Sequence, residues 1–283
     1  MKTCDLHTHS VFSDGTSTPR EIIDGAVSIG LSAVALCDHN TVEGVPDLFA
    51  AAEGKPIEAI AGAEFSVDYD GNELHLLGLY IPKSRFSEIT EMMREVDLLK
   101  EESNLALIES LGKAGIRLDY AKIKAATPRG RVNRANIARE LTALGYTASV
   151  GEAFDTVLSP AAGHYVEPKR LTVWEMLDYL HGAGITSVLA HPFLNLEADG
   201  LAEFLTRAKR AGLVGIECYY STYDAATTET ALDMARGFGL LPSGGSDFHG
   251  ATKPAIRLGV GLENLKIPYA WAEALKNKKV GNL

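Results

Sequence analysis

No window of the 283-residue sequence is apolar for long enough to span a bilayer, and Met1 to Ser10 lacks the basic-then-apolar grading of an export leader. A cytoplasmic protein without a membrane partner is expected. Cysteine is scarce: Cys4, Cys37 and Cys218 are too few and too widely spaced for a disulfide framework or a zinc-finger pattern. Each falls in an apolar, strand-like run, where a thiol serves as a small buried side chain. Positive charge is also short, with 27 Lys and Arg against 37 Asp and Glu, a net charge of -10. A long nucleic-acid coat is thereby excluded, since polyanion binding requires a cationic surface. Disorder is excluded by the ordinary balance of 46% hydrophobic and 23% charged residues. The length accommodates one large core, as a barrel-sized domain or a domain carrying an insertion.

Histidine, by contrast, is placed with a pattern. The stretch Asp5 to Gly15, DLHTHSVFSDG, sets His7 and His9 two residues apart on a predicted strand, so both imidazoles leave one face. Asp14 follows in a Ser-Asp-Gly turn, near enough to return a carboxylate to the same mouth. An isolated H-x-H is more often a strand end with two exposed histidines than a metal site. The rest of the chain decides.

Thr18-Pro19-Arg20-Glu21 reads as a capping box with proline at the first helical position, and Gly30 ends that helix. The continuous apolar run Ser32 to Cys37 suits a strand buried on both faces and stops at Asp38-His39-Asn40. After a short helix over Val45 to Ala52, strands at Ile60 to Val67 and Leu74 to Ile81 flank Asp70-Gly71, a two-residue hairpin loop. In that register Glu64 faces Leu77, and His75 is the diagonal neighbour of Glu64, about 7 Å away between backbones. From Phe86 to about Ser159 the periodicity is helical throughout, with no convincing strand. This predicted insertion holds eight basic residues and one acid between Lys113 and Arg139, a stretch suited either to a solvated face or to anion binding. Alternation then resumes with a second capping box at Thr172 to Glu175. Strands over Ile185 to Ala190, Leu213 to Tyr220 and Leu240 to Ser243 follow, two of them ending at His191 and at Asp247-Phe248-His249. Helix, glycine stop, buried strand and polar end repeat as one design, which demands parallel strands whose polar ends share a rim.

Gathering these polar residues gives His7, His9, Asp14, His39, Glu64, His75, His191, Asp247 and His249, which include six of the eight histidines. Nine nitrogen and oxygen donors without a cysteine suit two or three divalent cations such as zinc, manganese or iron. His181, near a predicted helix C-terminus, and His164, in a loop, have no spacing that joins them to the set. Asp38 is a candidate for orienting a neighbouring imidazole.

In order, the motifs D-x-H-x-H-S-x-x-S-D-G, C-D-H-N, G-A-E-F-S, L-H-L-L-G, L-A-H-P and G-G-S-D-F-H resemble those of the polymerase and histidinol phosphatase (PHP) family of metal-dependent phosphoesterases. The likeness covers about Met1 to Ile81 and Tyr165 to Gly261. It implies an α/β fold, a distorted (β/α)7-type barrel at residues 1–85 and 160–283, with the helical insertion at 86–159 contributing to the substrate site. It also implies a ligand set of His7, His9, Glu64 and Asp247 for one ion, Glu64, His75 and His191 for a second, and Asp14, His39 and His249 for a third.

Within the family the chain is most similar to the group that dephosphorylates nucleoside 3',5'-bisphosphates and trims short RNA from its 5' end. That group commonly carries G-R-x-H-x-A in its insertion, whereas Asn133 to Ala138 here keep Arg134 and replace the histidine by Asn136, a departure that bears on the substrate rather than the reaction. The resemblance implies hydrolysis of a nucleotide monoester, a 3',5'-bisphosphate or an AMP-like compound, by a cation-activated water. Asp247 would handle the water's proton, and His191 or His249 would protonate the leaving alcohol. Arg134 would clamp a phosphate, with Arg131, Asn136 and Lys169 as further substrate contacts. Histidinol-phosphate phosphatase and 5'-3' exonuclease on short oligonucleotides are the rival activities, and a metal-binding regulatory module is the rival without catalysis.

Overall fold

The apolar runs that end in polar clusters become the strands of a seven-stranded mixed sheet in the computed structural model, which describes residues 2–127 and 132–278. In chain order, β1 (Cys4–Thr8), β2 (Ala33–Leu36), β3 (Glu58–Tyr69), β4 (Asn72–Leu79), β5 (Thr186–Leu189), β6 (Gly215–Tyr220) and β7 (Leu241–Gly245) lie side by side. Pairing is parallel except at β4, which runs antiparallel to both β3 and β5. The β3–β4 hairpin turns at Asp70 and Gly71, both at positive φ, and sets Glu64 opposite Leu77 and His75 opposite Ser66, the register expected from its two-residue loop.

The ring nearly closes where β7 returns to β1. Asp247 N–H donates to the His7 carbonyl and His9 N–H to the Phe248 carbonyl, each at 2.9 Å. A Cβ on Gly245 would lie 2.1 Å from the His7 Cβ, so only glycine allows this approach. The buried Asp5 carboxylate fastens the same seam, accepting from the Ser246 backbone and hydroxyl and from Gly259 N–H. Leu6, Ala35, Leu77, Val188, Ile267 and Leu275 belong to the core of this ring.

Helices α1 (Pro19–Ser28) and α2 (Val45–Ala52) follow β1 and β2, while α3 (Phe86–Lys113), α4 (Tyr120–Ala126), α5 (Arg134–Ala143) and α6 (Val150–Asp155) come between β4 and β5. Then α7 (Val173–Gly182), α8 (Ala198–Arg210) and α9 (Ala225–Phe238) precede β5, β6 and β7, and α10 (Tyr269–Asn277) follows β7. Both predicted capping boxes form, Thr18 with Glu21 and Thr172 with Glu175, each cap contributing about 1 kcal/mol. Helix α10 is an addition to the sequence reading. Its N-cap is Pro268, which offers no side-chain acceptor, so no start signal marks it. No helix among the described residues is long and apolar enough to cross a membrane.

The chain divides into two compact units, one running to Thr90 and resuming at Leu171, the other Glu91–Arg170. The second is helical, with its own core of Leu107, Leu111, Ile137, Leu141 and Leu158, onto which Tyr165 packs.

Candidate metal centre

Two side chains of the predicted set sit deeper in their strands than expected. Glu64 is midway along β3 and His75 midway along β4, not at their ends. The hairpin simply outlasts its neighbours: β2 stops at Leu36, and His39 just beyond it bridges to Glu64. Glu64 therefore stands level with the rim while β3 continues past it.

All nine predicted ligands gather at this rim within the strand unit. Glu64, 1% exposed, is their hub. Its Oε1 lies 2.8 Å from His75 Nδ1 and 2.9 Å from His191 Nε2, and those two nitrogens are 3.3 Å apart. Its Oε2 lies 3.2 Å from His7 Nε2, His9 Nε2 and His39 Nδ1. Asp247 Oδ1 approaches His9 Nε2 at 3.2 Å and His7 Nε2 at 3.6 Å. On the far side of His9, Asp14 Oδ1 is 3.2 Å from His249 Nε2, and Asp14 Oδ2 is 3.8 Å from His39 Nε2. Donor atoms of His7, His9, Glu64 and Asp247 all lie within 4.8 Å of one another, as do those of His9, Asp14, His39 and His249 and those of His39, Glu64 and His75. His9 and His39 thus border more than one group, a sharing absent from the sequence-derived assignment.

The donors fit cations better than they fit each other. His7 Nε2, both ring nitrogens of His9 and His39 Nδ1 are buried without a hydrogen-bond partner, although carboxylate oxygens stand nearby. An unsatisfied buried polar atom costs about 1–3 kcal/mol, so four in one cluster make a purely structural role expensive. A divalent ion among these lone pairs removes that cost, and nitrogen with carboxylate oxygen is a donor mixture suited to zinc, manganese or iron.

The electrostatics of the protein groups by themselves are those of imidazolium and carboxylate held together. Burial opposes charge on His7, yet the Glu217, Glu64 and Asp247 carboxylates keep its pKa well above the usual value. His9 is raised to about 9 by Asp247 and Glu64 and His75 to about 10 by Glu64, in both cases against desolvation. His39 is pushed down, by desolvation first and then by His9 and His75. Despite burial, Glu64, Asp247 and Asp14 are held below the ordinary carboxylate range by the surrounding imidazoles.

A second layer orients the donors. Glu217, fully buried on β6, accepts from His7 Nδ1 at 3.0 Å and from His191 N–H at 2.7 Å, which turns His7 Nε2 toward Glu64. His249 Nδ1 donates to the Asp247 carbonyl at 2.8 Å and so presents Nε2 to Asp14. Tyr220 hydroxyl holds Asp247 Oδ2 at 2.8 Å, leaving Oδ1 for the histidines. His191 and Asp247 carry positive φ of 27° and 55°, a backbone conformation that side chains other than glycine rarely adopt and that gathers at functional sites. Asp38 differs from the sequence reading. Its carboxylate touches no imidazole and instead accepts from Ser10 N–H, Ser10 Oγ and Ser13 Oγ, tying down the loop that carries Asp14.

Glu217 was missed in the sequence, where its signal is one acid inside the apolar run LVGIECYY. Glu217→Ala is expected to lower metal affinity about 10- to 100-fold, the cost typical of losing a ligand-orienting carboxylate. Competition against a metal-chelating dye measures this, and unchanged affinity would remove Glu217 from the centre.

The predicted substrate residues Arg134, Asn136 and Lys169 belong to the helical unit. Arg134, the first residue of α5, lays its guanidinium over the Tyr165 ring at 4.6 Å and near Phe154 at 5.9 Å. Asn136 Oδ1 accepts from Asn133 N–H at 2.8 Å, half of a reciprocal cap on the same helix. Lys169 is exposed, and Arg131 lies outside the described residues. His181 lies in the last turn of α7, as expected, and His164 accepts or donates at Ser110 Oγ, 2.9 Å away.

Comparison with known proteins agrees with this geometry. The profile of a family described as "PHP domain" matches residues 5–159. A 5'-3' exoribonuclease of Haemophilus influenzae is 31% identical over 88% of this chain and 90% of its own length. A 3',5'-nucleoside bisphosphate phosphatase of Chromobacterium violaceum is 29% identical over 88% of each. Among solved structures, one described as an amidohydrolase of Chromobacterium violaceum with bound sulfate and no metal superimposes with a TM-score of 0.83 over 99% of both chains, at 26% identity.

Proposed function

Because the chain belongs to the PHP domain family, we propose that it is a metal-dependent hydrolase of nucleotide phosphomonoesters, with a nucleoside 3',5'-bisphosphate or an AMP-like compound as substrate. The observation that carries this reading is the gathering of nine donor residues at one rim, five imidazoles of them around Glu64, with buried, unpartnered ring nitrogens. Divalent cations in such a centre supply Lewis acidity toward phosphoryl oxygens and lower the pKa of bound water from 15.7 toward about 7.

The remaining work falls to side chains. Asp247, oriented by Tyr220, has an oxygen facing the centre that can hold a water through a hydrogen bond. His191 lines the cavity and His249 stands against Asp14 at the other side of the centre, and we assign to one of them the proton delivered to the leaving alcohol. No nucleophilic side chain is required. His39, Glu64, His75, His191 and Asp247 line a cavity of about 210 Å³, and Leu194, Asn195, Tyr220 and Lys253 complete its wall.

Arg134 is assigned to a substrate phosphate, for which its planar fork of donors is suited. The Tyr165 ring beneath it supports the assignment, since a stacked guanidinium keeps its N–H edge for a ligand. Arg134→Ala is expected to raise KM for a bisphosphate substrate about tenfold or more while metal content stays constant, and an unchanged KM would count against the role.

The 31% identical exoribonuclease favours a second reading, trimming of short RNA from the 5' end. Metal analysis of the purified protein, together with phosphate or nucleotide release from a 3',5'-bisphosphate nucleotide, a short 5'-phosphorylated RNA and histidinol phosphate, separates the readings. Absence of turnover across that panel with metals bound would sink the catalytic proposal and leave a metal-binding module.

A further inference from the structure

Among the described residues, Lys253 is the one cationic side chain besides histidine that lines the cavity at the centre, and no ligand motif contains it. Its Nζ lies 2.6 Å from Asp247 Oδ2, the oxygen also held by Tyr220. That carboxylate is therefore kept in place by two donors on one oxygen. The lysine side chain is 39% exposed, against 5% for Asp247, so its head stands between the buried carboxylate and open space.

An ammonium has three N–H donors and no acceptor. One is spent on Asp247, and the other two are available to an incoming acceptor without breaking that contact. The other charged groups of the cavity wall, apart from the histidines, are the Glu64 and Asp247 carboxylates, which repel an anion. Among the described residues of the wall, Lys253 is the cation that stands outside the ligand set, so its attraction for a phosphoryl group does not depend on the state of the imidazoles.

The lysine is also anchored on the loops that carry the ligands. The short turn Gly250–Thr252 just before it is stitched to the Asp14 loop, with Ala251 N–H donating to Thr16 Oγ1 at 2.7 Å and Thr252 Oγ1 to the Asp14 carbonyl at 3.0 Å. Gly250 has φ of 62°, and a Cβ there would meet Thr16 Oγ1 at 2.3 Å, so the join depends on glycine. The Lys253 backbone thus has a defined position relative to Asp14 and His249.

We infer that Lys253 is a phosphate-binding residue, docking a non-bridging oxygen of the substrate's phosphoryl group through its ammonium while Tyr220 and a retained N–H hold Asp247. This deepens the phosphoesterase reading and rests on it for the identity of the substrate, but the binding itself is measurable without turnover.

The test is calorimetric titration of inorganic phosphate into the manganese-loaded protein, with metal content measured on each sample. Lys253→Gln is expected to raise the Kd for phosphate about tenfold or more with metal stoichiometry unchanged, and Lys253→Arg to stay within about threefold of the parent. A Kd that Lys253→Gln leaves unaltered would overturn the assignment. So would loss of metal from that variant, which would make Lys253 a prop for Asp247, or failure of the parent to bind phosphate. If phosphate binding depends on Lys253 but no member of the substrate panel is hydrolysed, the docking site stands and the catalytic reading falls.

Discussion

Replacing Glu64 by glutamine is expected to empty the centre of metal and to lower phosphate release by about a thousandfold or more. The magnitude follows from asking the ions for several kcal/mol of transition-state stabilisation, at about 1.36 kcal/mol per tenfold in rate. The reason lies in the geometry of one carboxylate. Its Oε1 serves His75 and His191, and its Oε2 serves His7, His9 and His39. Glutamine keeps the shape but loses the charge and turns one oxygen into an NH₂ donor, which cannot share an ion with those nitrogens. The side chain is isosteric, so circular dichroism should show an intact fold. A variant that retained both metal and turnover would displace Glu64 from its position as hub.

Stripping the metal with a chelator is expected to reverse the pH dependence of stability. In the stripped protein, His9 and His75 have pKa values of about 9 and 10, above the unfolded value of about 6.5. Their stabilising charge is fully present below pH 6.5 and is lost as pH rises through 9 to 10. Asp14, Glu64 and Asp247 are depressed instead, so their contribution is present above about pH 4 and is lost only in stronger acid. The stripped protein should therefore be most stable near pH 6.5, weakening toward pH 10 as His9 and His75 lose their protons and toward acid as buried His39, pushed down to about 3, stays neutral while its unfolded counterpart takes up a proton. Metal ligation requires neutral imidazoles, so ions bind more tightly as pH rises and displace protons when they do. At a free ion concentration about 100 times Kd, binding adds about 2.7 kcal/mol, or roughly 5–10 °C in Tm for a chain of this size. Thermal melts of loaded and stripped protein from pH 6 to 9 should diverge by that amount. Parallel curves would mean that the cluster binds no ion in this range.

Much of the rim could be read in the sequence because buried strands tolerate polar residues poorly. His39, His191 and the pair Asp247 and His249 each interrupt an apolar run at its end, and that interruption is visible without coordinates. The position of Glu64 could not be read in the same way. Whether a residue lies at a rim depends on the length of the neighbouring strand, and β2 ends before β3 does. Glu217 and Asp5 were also hidden, since a lone acid in an apolar strand shows no partner until the sheet brings His7 and Ser246 to it. Lys253 lay outside every motif and acquires meaning only from its 2.6 Å contact with Asp247. Helix α10 was lost for a plainer reason, the absence of a capping side chain at Pro268.

The seam between β1 and β7 bears on how the protein comes into being. His7 emerges from the ribosome well before Asp247, yet its carbonyl waits for the N–H of that residue, and Gly245 must slide flush against it. During translation the early histidines have no complete set of companions, and a cation that settled on them would be held by a fragment. The complete donor set thus comes together only after β7 has been made and has closed on β1.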